Sequence, residues 1–569
     1  MKLSRDPREA EQQVYAVLLY LTTFGYIDGD FDFSEREFIL EHIEKLAREQ
    51  IEASGAGSGL DTETLEQLVE QRATHYREMF EEIDRGIRDL FKEAVAAGES
   101  LHKFVYAKLK LRCYEIFSRF DETNRQALMD TIDQFIMADG VAHPAEVAFR
   151  NELADLLHQD IMLELDDLEF VESEVTVQPE VRLDPVEKNH PLLKHLEEHY
   201  SADDAKRLEQ AKREIESLDR ALMLLKAKRA KGRGRLTGVQ RFDELMEGEE
   251  FLDGHVFVIP PRPGKQYDIT VLGDLHGCYS SLKGALLQAD FFNKVDAFEK
   301  DPETNPEPKL ILLGDYIDRG NFHYNGTLRA VINLFLRYPK YVYPLRGNHE
   351  FYFEHEGIVY GGVLPAEAIN GYRRYFPKEF FVRYMRFFEE LPTVVVFDKL
   401  FFVHAGIPKD ATMDKWQDLS SLNDQEIRFE MIWSDPSEAE VIPRALQEES
   451  ARFPFGRAQF AAFMSRVGCN VMVRGHTKVI EGFRTVIDDG NNMLLNLFSA
   501  GGKYNDDLPA DSSYRVVEPK ALTITYAEGQ ADITPWAIDY ESFNSPLHNR
   551  FFSAAPELKP VDEGPPLPG

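Results

Sequence analysis

The sequence is poor in cysteine and has no long apolar run. Only three cysteines occur in 569 residues, Cys113, Cys278 and Cys469, and their odd number and wide separation exclude a disulfide framework. No pair of them has CxxC spacing, so a structural zinc site of that type is not expected. No stretch of about 18 apolar residues is present and the N-terminal MKLSRDPREAEQ is polar, so we expect neither a transmembrane helix nor a signal peptide. These absences predict a soluble cytoplasmic protein.

Basic residues are scarce relative to acidic ones. Lys and Arg total 65 and Asp and Glu total 99, which gives a formal net charge of −34. Such a balance argues against binding to the phosphate backbone of DNA or RNA. Hydrophobic residues make up 43% of the chain and charged residues 29%, which is the composition of a globular protein. At ~100–200 residues per domain, the length predicts about two to four domains.

Residues 1–165 have a helical pattern with few breaks. Ser34 followed by Glu37 indicates a capping box at the start of a helix. Two Asp-Gly turns, within 26–34 and 138–146, each precede an acidic helix start, which suggests a weak internal duplication. This pattern resembles the small all-helical TerB-like domains of prokaryotic proteins. The resemblance implies a regulatory or interaction domain, and the alternative is an appendage that only stabilises the rest of the chain.

Residues 166–262 are predicted to form a linker that contains one long helix, 202–229. Apolar residues in this helix follow the 3-4-3-4-3 spacing of a coiled-coil seam. The seam is short, so packing of the helix on its own protein is the alternative. Its apolar residues are Leu208, Ala211, Ile215, Leu218, Leu222 and Leu225. The tail from 536 to 569 is rich in proline and is predicted to be disordered.

Short apolar strands alternate with helical patterns between residues 263 and 535, which predicts an α/β layered domain. The predicted strands are 269–272, 310–313, 342–345, 394–397, 401–403, 471–473 and 494–498. Polar clusters directly follow five of these strands. In open α/β sheets, ligand sites gather at the carboxyl ends of the strands.

The five clusters contain residues that bind divalent metal ions. They are GDLH at 273–276, GDYIDRG at 314–320, RGNHE at 346–350, HAG at 404–406 and RGH at 474–476. A single Asp at a strand end is usually a turn former, and a single buried His is usually a hydrogen-bonded core residue. Oxygen and nitrogen ligands at five strand ends instead favour two metal ions such as Mn²⁺, Fe or Zn²⁺. The candidate ligands are Asp274, His276, Asp315, Asn348, His404 and His476.

These motifs, in this order, resemble the calcineurin-like metallophosphoesterases and, more narrowly, the PPP-type serine/threonine protein phosphatases. WSDP at 433–436 and LFSA at 497–500 are similar to later motifs of the same family. The resemblance covers about 267–526. It implies a β-sandwich flanked by helices, preceded here by the all-α N-terminal domain. It also implies that Asp274, His276 and Asp315 hold one metal ion, and that Asp315, Asn348, His404 and His476 hold the other.

The resemblance also assigns roles in catalysis and phosphate binding. His349 is the expected general acid, and Asp318 the residue that orients it. Arg319 and Asn348 are expected to bind the substrate phosphate. A second phosphate-binding arginine is expected before FPFG at 453–456, where Arg452 is our candidate and Arg444 the alternative; Tyr504 is the candidate for a tyrosine that the family has after LFSA.

The expected activity is hydrolysis of phosphoserine and phosphothreonine in proteins, by direct attack of a hydroxide that bridges two divalent metal ions, with Mn²⁺ the first choice. GDLHGCY and HAGI are also similar to diadenosine tetraphosphate hydrolases, so a small phosphoester is the alternative substrate. A non-catalytic scaffold is disfavoured because every ligand position holds a competent residue. Cys278 has no evident base beside it and is expected to pack rather than react. The expected partners are a phosphoprotein and a regulatory protein bound by the N-terminal domain, with no nucleic acid and no membrane.

Overall fold

The computed structural model describes residues 3–27, 31, 33–57, 59–137, 143–157, 174–185 and 189–560. The chain divides into two compact units. The helical unit consists of Met1–Leu163 and Ser437–Gly456, and the sheet unit consists of Glu164–Pro436 and Arg457–Gly569. Within the described ranges, no helix combines the length and the apolar character that a membrane crossing requires.

The N-terminal region is helical, as the sequence predicted, and its described part contains six main helices. They are α1 (Pro7–Gly25), α2 (Phe33–Ser54), α3 (Thr62–Leu90), α4 (Leu101–Phe117), α5 (Glu122–Ile136) and α6 (Pro144–Leu157). Tyr20 and Phe24 of α1 lie in the core and make edge-to-face contacts with Phe117 and Phe149. Residues 28–30, 32 and 138–142 and the side chain of Ser34 lie outside the description, so the two Asp-Gly turns, the capping box and the TerB-like resemblance stay predictions.

The segment Ser437–Gly456 belongs to the helical unit, although the sequence analysis placed it in the 263–535 domain. It contains a short helix, α16 (Arg444–Gln447). Ile442 and Leu446 are buried in the same core as the main helices. Lys110, which is buried, places its Nζ atom 2.5 Å from a carboxylate oxygen of Glu449. The difference from the prediction arises because the apolar side chains of this segment are buried among helices that lie far from it in sequence.

The sheet unit contains fifteen strands of three residues or more in its described part. They are β1 (Glu174–Val177), β2 (Phe251–Asp253), β3 (Val256–Ile259), β4 (Tyr267–Leu272), β5 (Glu307–Leu312), β6 (Val342–Pro344), β7 (Tyr352–His355), β8 (Ile358–Gly361), β9 (Val394–Phe397), β10 (Leu400–Val403), β11 (Val471–Arg474), β12 (Phe483–Asp488), β13 (Met493–Leu497), β14 (Lys520–Ala527) and β15 (Gln530–Ala537). All seven predicted strands are among them, and the predicted α/β class is confirmed.

Two mixed sheets form the centre of this unit. One has the strand order β1-β15-β14-β4-β5-β6 and the other β12-β13-β11-β10-β9-β3-β2, while β7 and β8 pair as a separate hairpin. Strands β4, β5 and β6 are parallel, as are β10, β11 and β13. The sheets pack face to face, and the ring of Phe397 lies 4.9 Å from the rings of both Tyr267 and Tyr526. The unit is therefore a β-sandwich.

Helices surround the two sheets. They are α7 (Pro191–Leu196), α8 (Asp204–Gly232), α9 (Tyr279–Gln288), α10 (Phe291–Lys300), α11 (Arg329–Arg337), α12 (Glu367–Tyr372), α13 (Lys378–Glu390), α14 (Asp410–Met413), α15 (Gln425–Glu430) and α17 (Arg457–Val467). A π-helical turn covers His323–Leu328. The lengths are those of ordinary surface helices that bury one face on a sheet.

The predicted linker is an integral part of the sheet unit. Helix α8 packs against α11, α13 and β2, and its seam residues Leu218 and Leu225 are fully buried. In the middle of α8, Glu214 accepts hydrogen bonds from the hydroxyls of Tyr200 and Tyr384 at 2.9 and 3.0 Å. Leu218 and Leu225 therefore pack on their own protein, whereas Leu208 near the start of the helix is 37% exposed. Strands β2 and β3 also lie within the predicted linker, so the unit begins before residue 263.

The tail is packed further than its proline content indicates. Phe543 and Phe551 are buried, and the N–H of Arg550 donates to Glu197 at 3.0 Å. The prediction of disorder from residue 536 therefore differs from the structure for residues up to 560. The aromatic side chains explain the difference, because they contribute apolar area that the Pro-rich segment beyond them lacks.

Candidate metal centre

All six predicted metal ligands meet at the carboxyl ends of β4, β5, β6, β10 and β11. Asp315 lies between two histidines, with its Oδ2 atom 3.5 Å from Nε2 of His276 and 3.5 Å from Nε2 of His404. The Oδ1 atom of Asn348 lies 3.0 Å from Nε2 of His404 and 3.1 Å from Nδ1 of His476. The N–H of His476 donates to Oδ1 of Asp274 at 2.8 Å. The side chains thus form one cluster, with Asp315 placed to serve two sites.

The histidines have the tautomer that metal binding requires. The Nδ1 atoms of His276 and His404 lie 3.0 Å from the carbonyl oxygens of Ile317 and Leu313. A carbonyl only accepts, so each Nδ1 carries the proton and each Nε2 presents a lone pair toward Asp315. Burial lowers the pKa of both His276 and His404 well below the ordinary value, which keeps the imidazoles neutral.

The carboxylates of the cluster need a positive partner. Burial, followed by the charges of Asp274 and Glu350, raises the pKa of Asp315 well above its ordinary value. Divalent cations would relieve this repulsion, and the set of carboxylate, amide and imidazole donors suits them. The backbone at Gly347 approaches Asp315 so closely that only glycine fits, because a Cβ on Gly347 would lie 2.1 Å from Oδ1 of Asp315. The residues therefore fit two divalent metal ions.

Backbone strain is concentrated at this centre. Nine non-glycine residues in the described part of the chain have a positive φ. Five of them belong to the predicted site, namely His276, Asp315, Asp318, Arg319 and His476. Non-glycine residues adopt this conformation at an energetic cost, and such strain gathers at functional sites.

A glutamate that the sequence analysis left without a role supports the centre. The buried carboxylate of Glu350 accepts the backbone N–H groups of Asp315, Tyr316 and Gly347 at 2.7, 2.8 and 3.0 Å. It therefore fixes the loop that carries Asp315 against the loop that carries Asn348. The last letter of RGNHE was its signal in the sequence.

The WSDP and LFSA motifs also act as supports. Asp435 accepts a hydrogen bond from the hydroxyl of Thr477 at 2.8 Å, next to His476. The hydroxyl of Ser499 accepts the N–H of Gly273 at 2.8 Å, next to Asp274. Each motif thereby fixes the backbone beside one predicted metal ligand.

His349 and Asp318 form a buried pair at the edge of the ligand cluster. The Nδ1 atom of His349 lies 2.7 Å from Oδ2 of Asp318, and its Nε2 atom lies 4.0 Å from Oδ2 of Asp315. The Nε2 side of the imidazole is thus directed at the ligands. The other oxygen of Asp318 accepts the N–H of Ala368 at 2.7 Å.

Arg319 follows Asp318 and lies beside the same cluster. Its Nη1 atom is 2.5 Å from Oε1 of Glu367. Burial lowers the pKa of Arg319, but nearby Tyr514 and Glu367 together raise it above its ordinary value, so the guanidinium stays charged. The ring of Tyr514 packs 5.2 Å from that of His276. Sequence reasoning missed Tyr514, which no motif marks.

Arg452 and Tyr504 are the two other residues predicted to bind phosphate. Arg452 belongs to the helical unit, where its Nη1 atom pairs with Glu93 at 3.0 Å, and the alternative Arg444 lies in α16 of that unit. Tyr504 is 59% exposed and its N–H lies 3.5 Å from the hydroxyl of Tyr540. Within the sheet unit, the ring contact of Tyr514 with His276 favours Tyr514 over Tyr504 at the centre.

Cys278 is a packing residue. It is buried with Phe498, Leu508 and Val517 in a small cluster of their own. Burial raises the pKa of the Cys278 thiol, which keeps it protonated and unreactive.

Comparisons with known proteins agree with this geometry. Residues 267–479 match the family model for calcineurin-like phosphoesterases. The matched range contains all six predicted metal ligands.

Similar proteins are found among phosphatases. The chain is 29% identical over 285 residues to a protein of Encephalitozoon cuniculi named "Probable serine/threonine-protein phosphatase", covering 49% of this chain and 55% of that protein. It is 28% identical over 239 residues to the serine/threonine-protein phosphatase 4 catalytic subunit of Eremothecium gossypii, covering 41% of this chain and 68% of that one. The chain thus spans about half to two thirds of the length of these relatives. A solved protein serine/threonine phosphatase from Saccharomyces cerevisiae aligns at 15% identity with a TM-score of 0.35, covering 57% of this chain and 90% of that one.

Proposed function

We propose that this protein is a metal-dependent phosphatase that hydrolyses phosphoserine and phosphothreonine in protein substrates. The observation that carries the proposal is the His349–Asp318 pair, which faces a cluster of competent metal ligands with Arg319 beside it. Mn²⁺ is the first choice of metal. The ligands of the two ions would be Asp274, His276, Asp315, Asn348, His404 and His476.

Bound metal ions would neutralise phosphate charge and make water a stronger nucleophile at neutral pH. His349 would act on the leaving group. Because Asp318 accepts the Nδ1 proton, the Nε2 atom of His349 can hold the proton that the departing serine or threonine oxygen takes. Burial raises the pKa of Asp318, and its contact with Nδ1 orients the imidazole of His349.

Arg319 and Asn348 would hold the phosphate. Arg319 offers a planar set of N–H donors that matches two phosphate oxygens. Asn348 turns its Oδ1 atom to His404 and His476, which leaves its amide nitrogen available to donate to a phosphate oxygen. Tyr514 lies close to both His276 and Arg319 and would line the same space.

The relatives support the choice of substrate. Two of them are named as serine/threonine-protein phosphatases, and the family model for calcineurin-like phosphoesterases matches 267–479, the range that contains the ligand motifs. We extend the proposal to a cytoplasmic location and to a regulatory or recruiting role for the helical unit. That role is supported by the segment Ser437–Gly456, which follows WSDP in the chain and is held by the helical unit.

Turnover by the full chain in added Mn²⁺ tests the proposal. A pool of phosphoserine and phosphothreonine peptides is run beside diadenosine tetraphosphate, with Asp274→Asn as the control. Metal-dependent release of phosphate from the peptides, absent in the variant, is the expected result. Cleavage of the dinucleotide alone would replace the proposal with a nucleotide hydrolase, and inactivity on both with full metal content would favour a scaffold.

A further inference from the structure

Glu367 accepts a hydrogen bond from one nitrogen of the Arg319 guanidinium. The Nη1 atom of Arg319 lies 2.5 Å from Oε1 of Glu367 and 3.4 Å from the carbonyl oxygen of Pro365. The side chain of Arg319 is 14% exposed and that of Glu367 is 39% exposed. Both acceptors lie at the start of α12, so a single segment determines where this guanidinium sits.

The opposite edge of the guanidinium is left available. In the part of the chain that the structure describes, the hydrogen bonds of Arg319 all involve Nη1. The group is planar and rigid, so fixing one nitrogen sets the direction of the Nε–Nη2 edge. That edge presents two parallel N–H groups, which is the geometry that binds two oxygens of one phosphate.

The start of α12 also fixes Asp318, which precedes Arg319 and pairs with His349. The N–H of Ala368 donates to Oδ1 of Asp318 at 2.7 Å, while Oδ2 of Asp318 binds His349. Asp318 and Arg319 are consecutive, and both have a positive φ, 66° and 65°. Contacts from outside must hold such a conformation. The start of α12 supplies them through Glu367 and Ala368.

We infer that Glu367 is a positioning residue for the substrate phosphate, acting through Arg319. The inference rests on the proposed function, because it gives Arg319 a phosphate to bind. A carboxylate next to a phosphate site repels the substrate unless a cation lies between the two. Glu367 therefore favours phosphate binding by orienting Arg319 and disfavours it by its negative charge. Substitutions can separate these two effects.

Three variants separate orientation, charge and general stability. Glu367→Ala removes the acceptor, whereas Glu367→Gln keeps an acceptor oxygen and removes the charge. Glu354→Ala is the matched control, because Glu354 is also 39% exposed and pairs with Lys378 at 2.8 Å in the same unit. The measurements are kcat and KM on a phosphopeptide, inhibition by inorganic phosphate, bound Mn²⁺ and the melting temperature.

Glu367→Ala is expected to raise KM and the inhibition constant of inorganic phosphate about tenfold, since one charge-assisted contact is misdirected. Its kcat should fall less, and its metal content should stay at the wild-type level. Glu367→Gln is expected to stay within about threefold of wild type in both constants, because orientation is kept and repulsion is removed. Glu354→Ala should match wild type.

The inference is overturned if Glu367→Ala leaves both constants unchanged. It is also overturned if the constants fall, because Glu367 would then compete with phosphate for Arg319. If Glu367→Ala binds less metal or has a lower melting temperature, while its inhibition constant for inorganic phosphate is unchanged, the role of Glu367 is purely structural and the inference is overturned. If wild type and Glu354→Ala turn over no phosphopeptide, the proposed function fails, and calorimetry of inorganic phosphate in Mn²⁺ still compares wild type with Glu367→Ala.

Discussion

The imidazole of His349 and the carboxylate of Asp318 are joined by a buried contact of 2.7 Å between Nδ1 and Oδ2. Asp318 is itself held on its other side by the N–H of Ala368. The imidazole cannot rotate without losing a charge-assisted hydrogen bond, which is worth about 1.5–3 kcal/mol. The direction of Nε2 is therefore set before any substrate arrives.

Replacing His349 by Asn should remove proton donation and leave the metal ligands in place. We expect kcat on phosphoserine and phosphothreonine peptides to fall by about 10²–10⁴-fold. An aryl phosphate such as p-nitrophenyl phosphate should lose much less, because its leaving group does not need a proton. Bound Mn²⁺ is the control. Near-wild-type turnover of the peptides by a fully metallated variant would refute the assignment of the acid.

Replacing Gly347 by Ala should disrupt the centre from the backbone side. The added Cβ would lie 2.1 Å from Oδ1 and 2.3 Å from the N atom of Asp315, too close for either to remain in place. We expect loss of bound metal and destabilisation by at least about 1–3 kcal/mol. Gly371→Ala is the matched control, since a Cβ there meets nothing within 4 Å. Equal metal content in the two variants would show that the loop adapts.

Asp507 should make stability depend on pH. Its carboxylate accepts the N–H of Ser280 at 2.5 Å and the hydroxyl of Ser280 at 3.0 Å. Burial raises the pKa of Asp507 to about 7, with Asp506 adding to the rise. The unfolded chain has an ordinary pKa of about 4. The stabilisation from the bound proton is therefore complete below about pH 4 and is lost as the pH rises through about 7.

The Asp507→Asn variant keeps an acceptor oxygen and removes this titration. We expect the free energy of unfolding of wild type, relative to the variant, to fall between about pH 5 and pH 7. The slope is at most about 1.4 kcal/mol per pH unit, and the difference should be constant above about pH 8. Urea unfolding at several pH values measures it. Parallel profiles for the two proteins would place the proton elsewhere.

Lys110 should secure the segment Ser437–Gly456 within the helical unit. Its buried Nζ atom lies 2.5 Å from Glu152 and 2.5 Å from Glu449. Lys110→Met keeps the packing and leaves two carboxylates without their cation. We expect a loss of about 1–3 kcal/mol and faster tryptic cleavage after Arg444 and Arg452.

Lys92→Met is the control for Lys110→Met, because Lys92 is 71% exposed and pairs with exposed Asp89. Cleavage of both variants at the wild-type rate would contradict the role of Lys110. Turnover of a small ester by Lys110→Met also tests the helical unit. A change in kcat supports regulation, and an unchanged kcat supports a stabilising appendage.

The metal centre could be predicted because its residues lie in short runs of sequence. Asp274, Asp315 and His404 each follow a strand that reads as an apolar run. Asp274 and Asp315 follow the parallel neighbours β4 and β5, and His404 follows β10 of the other sheet. The same regularity predicted seven strands. Strands β14 and β15 were missed, although they alternate polar and apolar residues and are joined by the two-residue turn Glu528-Gly529, which are the features of a hairpin.

The surroundings of several other residues could not be predicted, because they depend on contacts between residues that are distant in sequence. Nothing near Tyr514 indicates that its loop returns to His276, and nothing near Arg452 indicates that Glu93 pairs with it. Glu367 resembles any exposed helix-start glutamate until the structure places it beside Arg319. Such pairings are set by the packing of whole units, which local patterns do not encode.

The helical unit is made of two stretches of chain, with the second emerging after Pro436. A protein that lacks residues 1–163 would still contain Ile442 and Leu446. The apolar side chains of these residues would lose the core that buries them. We expect such a shortened protein to aggregate, and a short polar replacement of 437–456 to restore its solubility. By the same reasoning, one terminal deletion or fusion event cannot remove or add this unit cleanly. Both stretches are needed to build this unit, and the second lies between two parts of the sheet unit in the sequence.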